Sequence, residues 1–171
     1  MRVGTHCYSS GDFFNIYQHE DINIGNYVQI GGDVQLFDQP DHISIYNPKS
    51  VHNYPPQMIG AKPVIHGKRG RLTIGHDVWI GNSATLFGGI EIGNGAIIGA
   101  YSVVAKTIPP YAVVVGNPAK VIRYRFTEDQ IVALEKIKWW NWSKDKVKQS
   151  VEDMSDVDKF IKKYEVVDKR R

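Results

Sequence analysis

From Leu72 to Lys106 a large aliphatic residue returns at every sixth position: Ile74, Ile80, Leu86, Ile92, Ile98 and Val104. Glycine follows it at Gly75, Gly81, Gly93 and Gly99. A second series, Leu72, Val78, Ala84, Ile90, Ala96 and Ser102, runs two residues ahead, and the same phase holds upstream at Ile24, Ile30 and Leu36. This period suits neither the α-helical turn nor plain strand alternation. A short strand followed by a tight corner satisfies it, with the aliphatic residue pointing inward. Three such sides close one coil of eighteen residues. The spacing therefore predicts stacks of Ile74 on Ile92, Ile80 on Ile98 and Leu86 on Val104, with coils about 4.8 Å apart. Gly25-Asn26, Gly81-Asn82 and Gly93-Asn94 are expected to supply the positive φ of the corners.

The repeat is interrupted by "FDQPDHISIYNPKSVHN", residues 37–53, which is polar and carries His42 and His52. The excursion runs over about 37–71, and 72–106 then make about two full coils. "TIPPYAVVVGNPAKVIRYRF" is expected to close the stack with a last partial coil. Residues 1–126 form the coiled part in this reading, and 127–171 a helical extension. Thr127 and Gln130 make a capping box, Ser143 is placed to cap a second helix and Ser155 a third. Ile131, Leu134, Ile137 and Lys138 are assigned to one face of the first helix. Trp139, Trp140 and Trp142 read as packing anchors. These helices are expected to cover one open end of the stack or to dock on a neighbouring subunit.

The chain's 171 residues suffice for one cored domain. The net charge of +3 comes from lysines and arginines mixed with acids in the last third, which reads as a solvated surface rather than a nucleic-acid footprint. The single cysteine, Cys7, allows no internal disulfide and suits a reducing compartment; it reads as a structural thiol. No stretch has the apolar length of a membrane span, and the N-terminus lacks the apolar core of a signal peptide. A cytoplasmic location is the expectation.

The segment "IGHDVWIGNSATLFGGIEIGNGAIIGAYSVVAKTIPPYAVVVGNPAKVIR", residues 74–123, resembles the core of the hexapeptide-repeat acetyltransferases, both the galactoside/maltose type and the xenobiotic, chloramphenicol type. The resemblance covers roughly residues 20–126 and is most specific at "VWIG" and "GNPAKVIR". It implies an all-β solenoid, a left-handed parallel β-helix, with a projecting loop and a short C-terminal α-helical segment. It also implies a homotrimer whose active sites lie between subunits, with acetyl-CoA as acyl donor. Carried over onto this sequence, the cofactor contacts fall at Asn82, Ala100, Ala105, Lys106, Lys120 and Arg123. Pro118 is placed to pack on the adenine, and Trp79 beside the cleft or as a core or interface anchor. The chemistry is consistent: amides of the pantetheine arm pair with backbone at small-residue corners, and the phosphates call for cations.

In that family the interrupting loop brings a histidine over the thioester. His42, directly after the last upstream coil, matches that place; His52 is the alternative. Imidazole titrates near neutrality and suits a base that activates a hydroxyl or amine. Asp41, Tyr46 and Asn47 are candidates to orient it or to bind the acceptor. The relatives of the xenobiotic type usually continue with an Asp-Trp-Val-Ser-Thr-type segment, whereas this chain has "HISIYNPKSVHNYPP". That departure favours a sugar or sugar nucleotide in glycan assembly as acceptor, with a xenobiotic alcohol as the alternative. Two further readings compete. A zinc enzyme of the γ-carbonic anhydrase kind needs three convergent imidazoles; His66 and His76 do not sit at the eighteen-residue stacking distance, and no metal is expected. A non-catalytic interaction subunit would use the same coils, and the basic set Lys106, Lys120 and Arg123 argues against it.

Overall fold

The computed structural model describes residues 1–10, 22–37 and 70–165. Thirteen short strands alternate with tight corners. They are β1 (Arg2–Val3), β2 (Tyr8–Ser9), β3 (Ile22–Ile24), β4 (Gln29–Ile30), β5 (Gln35–Phe37), β6 (Leu72–Ile74), β7 (Trp79–Ile80), β8 (Thr85–Phe87), β9 (Glu91–Ile92), β10 (Ile97–Ile98), β11 (Val103–Val104), β12 (Ala112–Val115) and β13 (Lys120–Tyr124). The chain deals them in rotation to three sheets. The first is β1-β3-β6-β9, the second β2-β4-β7-β10-β12-β13 and the third β5-β8-β11. Every pairing is parallel except β12 with β13.

The register is the one the period predicts. Ile74 pairs with Ile92, Ile80 with Ile98 and Leu86 with Val104. Upstream, Ile24 pairs with Ile74, Ile30 with Ile80 and Leu36 with Leu86. The step along a seam is 18 residues from His76 to Asn94 but 50 from Asn26 to His76. The excursion thus inserts 32 residues (50 less 18) and returns the chain to the next level of the same sheet. Both aliphatic series are buried in one core, and Ser102 is the polar exception at 0% exposed; its hydroxyl accepts from the Gly116 amide at 3.2 Å.

The corners differ from expectation in one respect. Positive φ falls not on the glycine or asparagine but on the residue after them: Tyr27 (60°), Asp33 (57°), Asp77 (54°), Ser83 (56°), Gly95 (66°) and Tyr101 (58°). The glycine answers to a different demand. A Cβ on Gly25 would lie 2.5 Å from the Gly75 carbonyl oxygen, and one on Gly81 2.5 Å from the Ala100 nitrogen. Coils stack too closely there for any side chain.

The last partial coil is present. Ile108 bridges to Ile92 and β12 pairs with β10, after which β13 turns back antiparallel on β12. Three helices follow: α1 (Glu128–Ile137), α2 (Lys144–Ser150) and α3 (Val157–Tyr164), with a 3-10 turn at Trp139–Asn141 and another at Asp153–Ser155. The Thr127–Gln130 capping box forms, and Ser143 caps α2 through the Lys146 amide. Lys138 does not extend α1; it ends the helix in the left-handed conformation. Ser155 does not cap α3. Its hydroxyl donates to the Glu152 carbonyl at 2.6 Å, and Asp156 caps instead, accepting from the Asp158 and Lys159 amides at 3.0 Å each.

The helices do not cover an end of the stack. They pack on its flank, at the corner between the first and second sheets. Tyr111, Leu134, Trp140 and Phe160 are buried in this second core, with Trp139 and Trp142 packed against it, as anchors should be. Asp153 ties the tail together: Lys163 donates to it at 2.6 Å and Tyr164 at 2.9 Å, which holds its carboxyl down at about 2.

Candidate active site

Two seams built from the same corner chemistry run down the coils. On the seam between the first and second sheets a side-chain acceptor at each level takes the backbone N–H of the level before it. Asn26 Oδ1 accepts from Thr5, His76 Nδ1 from Asn26 at 2.8 Å, and Asn94 Oδ1 from His76 at 2.8 Å. His76 stands in an asparagine's place, so its Nδ1 must be unprotonated. Burial lowers its pKa in the same direction. The ring stacks on Trp140, centroids 5.3 Å apart and planes 8° apart. The outward amides of this seam bind the tail: Asn26 Nδ2 donates to the Trp140 carbonyl, and Asn94 Nδ2 to the Glu135 carboxylate at 2.9 Å.

The seam between the second and third sheets carries Gly32, Asn82 and Ala100. Asn82 Oδ1 accepts from the Gly32 amide at 3.1 Å, and the Asn82 carbonyl accepts from Tyr101 at 2.9 Å. One level down, Ala100 has no side-chain acceptor, and the ladder stops. Among the described residues the Asn82 amide, the Ala100 amide and the Ala100 carbonyl have no partner. Asn82, Ala100 and Tyr101 are exposed, Tyr101 at 75%. Two unpaired amides and a carbonyl beside a methyl-sized side chain suit an extended ligand that itself carries amides.

The other expected cofactor contacts divide between places. The turn from Gly116 to Lys120 lies below β11, with the Val103 amide donating to Gly116 and the Ala119 amide to Val103, both at 2.9 Å. This puts the turn, with Pro118, beneath the third sheet, while Lys120 opens β13 of the second sheet, opposite Val115. Ala105 and Lys106 follow β11 and sit at the opposite edge of that sheet. Arg123 pairs with Val113 in a row of the second sheet that continues through Ile97 to Trp79. Trp79 is 51% exposed, which removes it from the core of this chain. Ala105, Lys106, Pro118, Lys120 and Arg123 are all exposed. One chain thus offers the set on several edges of its lower coils rather than in one closed cleft. His42, His52, Asp41, Tyr46, Asn47 and His66 lie outside the described residues.

The sequence reading missed a third cluster, where the tail meets the coils. Arg125 Nη1 donates to Asp77 Oδ2 at 3.0 Å and to the Gly95 carbonyl at 2.7 Å. Burial raises the Asp77 pKa against the pull of Arg125. Tyr111 is pushed well above the usual phenol range, first by burial and then by Glu135 and Asp77; its buried hydroxyl has no partner among the described residues. The signal was present: Tyr27, Asp77, Gly95 and Tyr111 occupy one corner position of successive levels. Among the described residues no helix is long and apolar enough to cross a membrane.

The described coils carry a six-residue repeat, with a large aliphatic residue at every sixth position of residues 72–106. Residues 72–106 match the family described as Bacterial transferase hexapeptide (six repeats). A chloramphenicol acetyltransferase of Klebsiella aerogenes is 51% identical over 84 residues, 49% of this chain and 40% of that protein. A probable macrolide acetyltransferase of Lysinibacillus sphaericus is 41% identical over 99 residues, 56% of this chain and 55% of that protein. The chain spans about half the length, or less, of these curated relatives. Among solved structures, a maltose O-acetyltransferase from Clostridium difficile 630 has a TM-score of 0.54 at 29% identity, over 73% of this chain and 59% of that one. A hexapeptide-repeat containing acetyltransferase from Vibrio cholerae has a TM-score of 0.52 at 26% identity, over 74% of this chain and 63% of that one.

Proposed function

We propose that this chain is an acetyltransferase that moves the acetyl group of acetyl-CoA to a hydroxyl or amine of a small acceptor. The observation that carries this reading is the match of residues 72–106 to the bacterial transferase hexapeptide repeat. The names of the relatives on both comparisons support it. In this reading the coils wind left-handed and the protein works as a cytoplasmic homotrimer. Asn82 and Ala100 offer their amides to the pantetheine arm, and Lys106, Lys120 and Arg123 meet the phosphates. Because these groups stand on several edges of one chain, a neighbouring subunit is needed to close the cleft. His42 takes the proton from the acceptor, the oxygen or nitrogen attacks the thioester carbonyl, and backbone N–H groups hold the oxyanion. The thiolate of CoA then leaves.

The acceptor of choice is a sugar or sugar nucleotide. Its support is the segment after His42, which lacks the tryptophan-bearing sequence of the xenobiotic type, together with the maltose enzyme among the structural neighbours. A second reading, a xenobiotic alcohol, is favoured by the names of the curated relatives.

Calorimetric titration with acetyl-CoA, run beside His42→Ala, tests the class without knowing the acceptor. Binding is expected for both proteins, with turnover in an acceptor screen reduced roughly 10²–10⁴-fold in the variant. No binding by either overturns the reading in favour of an interaction subunit. Loss of binding in the variant alone removes His42 from the role of base. A monomer in light scattering that still binds acetyl-CoA rules out the shared cleft.

A further inference from the structure

Between the coil corner and the C-terminal helices lies a cavity of about 380 Å³. None of the candidate cofactor residues lines it. Its walls include Phe126, Trp139 and Phe160, and one side is the Asp77–Arg125 pair. Trp139 is held in place by Tyr27, centroids 4.9 Å apart, and the Arg125 guanidinium lies 5.2 Å from the Phe126 ring centroid. A cavity of this size, lined by aromatic and aliphatic side chains with a few convergent polar groups, has the composition of a small-molecule site.

The polar wall is incompletely used. Arg125 spends Nη1 on both its acceptors, Asp77 Oδ2 and the Gly95 carbonyl. Among the described residues its Nε and Nη2 have no acceptor and Asp77 Oδ1 has no donor. The side chains are only 27% and 25% exposed, so water has limited access to these groups. Leaving hydrogen-bonding capacity half-shielded costs free energy that a fitted partner recovers. Because the pair carries no net charge, neither an anion nor a cation gains from it overall. A neutral group with an acceptor and a donor side by side spends both unused sites: its oxygen accepts from the guanidinium while its N–H donates to Asp77 Oδ1.

From these observations we infer that this cavity is a second small-molecule site, selective for a flat apolar ring or short chain bearing a carboxamide-like edge. It is separate from the proposed acetyl-transfer site and does not depend on it.

Three probes with one ring and three edges test the inference: benzamide, benzoate and benzylamine. They are titrated into the full chain while the indole N–H of Trp139, assigned with Trp139→Phe, is followed by NMR. Benzamide is expected to give a saturable shift at millimolar concentration and to bind more tightly than the other two. Arg125→Lys keeps the charge and loses the fork; it is expected to weaken benzamide roughly tenfold. Ser155 lies on the exposed rim of the cavity, so Ser155→Trp blocks the mouth without touching the core and is expected to abolish the shift, with folding checked by circular dichroism. The absence of a saturable shift with any probe overturns the site. Equal binding of all three probes overturns the assigned edge chemistry. Undiminished binding to a folded Ser155→Trp places the ligand elsewhere and overturns the assignment.

Discussion

The seam carrying Asn26, His76 and Asn94 and the seam carrying Gly32, Asn82 and Ala100 come from the same repeat, yet the first is roofed by helices and the second faces solvent. The strands on either side are alike. The difference lies in the left-handed residue of each corner. On the roofed seam these are Tyr27, Asp77, Gly95 and Tyr111. Tyr27 packs on Trp139, Asp77 pairs with Arg125, and Gly95 leaves room for the Tyr111 ring, which any Cβ there would overlap. On the open seam they are Asp33, Ser83 and Tyr101, and among the described residues no helix answers them. A solenoid thus assigns one corner to packing and another to solvent by changing two neighbouring corner residues per coil.

The strongest way to break this contrast is Trp140→Ala. Trp140 is 3% exposed, stacks on His76 and receives the Asn26 amide. Its truncation is expected to cost about 3–5 kcal/mol in denaturant unfolding and to open the tail to protease. Tyr101→Ala on the open seam is expected to change stability by less than about 0.5 kcal/mol. The coils beneath the seams should behave alike. Gly75→Ala drives a Cβ to 2.8 Å from the Asn94 nitrogen and Gly81→Ala to 2.5 Å from the Ala100 nitrogen. Each is expected to lower thermal stability by about 1–3 kcal/mol, and a large loss in one with none in the other would show that the seams are stacked differently.

A subtler change makes the open seam resemble the roofed one. Ala100→Asn supplies the missing acceptor for the Asn82 amide. It is expected to raise unfolding free energy by about 0.5–1.5 kcal/mol and, if acetyl-CoA uses that amide, to weaken its binding in the same calorimetric assay. The smallest effect is one of pH. Burial depresses the His76 pKa below its ordinary 6.5, so near that pH the unfolded chain binds more protons than the folded one. The stability that goes with neutral His76 is present above about 6.5 and is lost as pH falls from there toward the lower folded value. His76→Asn keeps an acceptor for the Asn26 amide and carries no titrating group; melting curves across this window should flatten in the variant.

Much of the coiled part could be read from spacing alone. Six-residue periodicity defines which side chains stack, so Ile74 on Ile92 and Ile80 on Ile98 required no structure. The helix caps at Thr127 and Ser143 were legible because they are local. Ser155 was misread for a local reason too: it and Asp156 are both good caps, and the serine hydroxyl is spent on the Glu152 carbonyl at the start of the 3-10 turn before α3. The placement of positive φ was misread because glycine satisfies two demands that a sequence does not separate, backbone freedom and absence of a side chain. The docking of the tail was illegible because it depends on tertiary partners such as Glu135 with Asn94, 41 residues apart. His42 belongs to a stretch without a period, so spacing assigns it no register; its placement rests on the resemblance.

The reversal at β13 has a bearing on how copies of this chain can meet. A parallel strand presents evenly spaced, slanted bonding groups to whatever lies below it, and another parallel coil can continue the column indefinitely. β13 runs the other way, and an antiparallel edge spaces its groups in alternating pairs. It also carries Lys120 and Arg123 and is exposed along its whole length, the charged kind of edge that discourages strand addition. End-on addition of another coil to the second sheet therefore meets a mismatched, cationic edge.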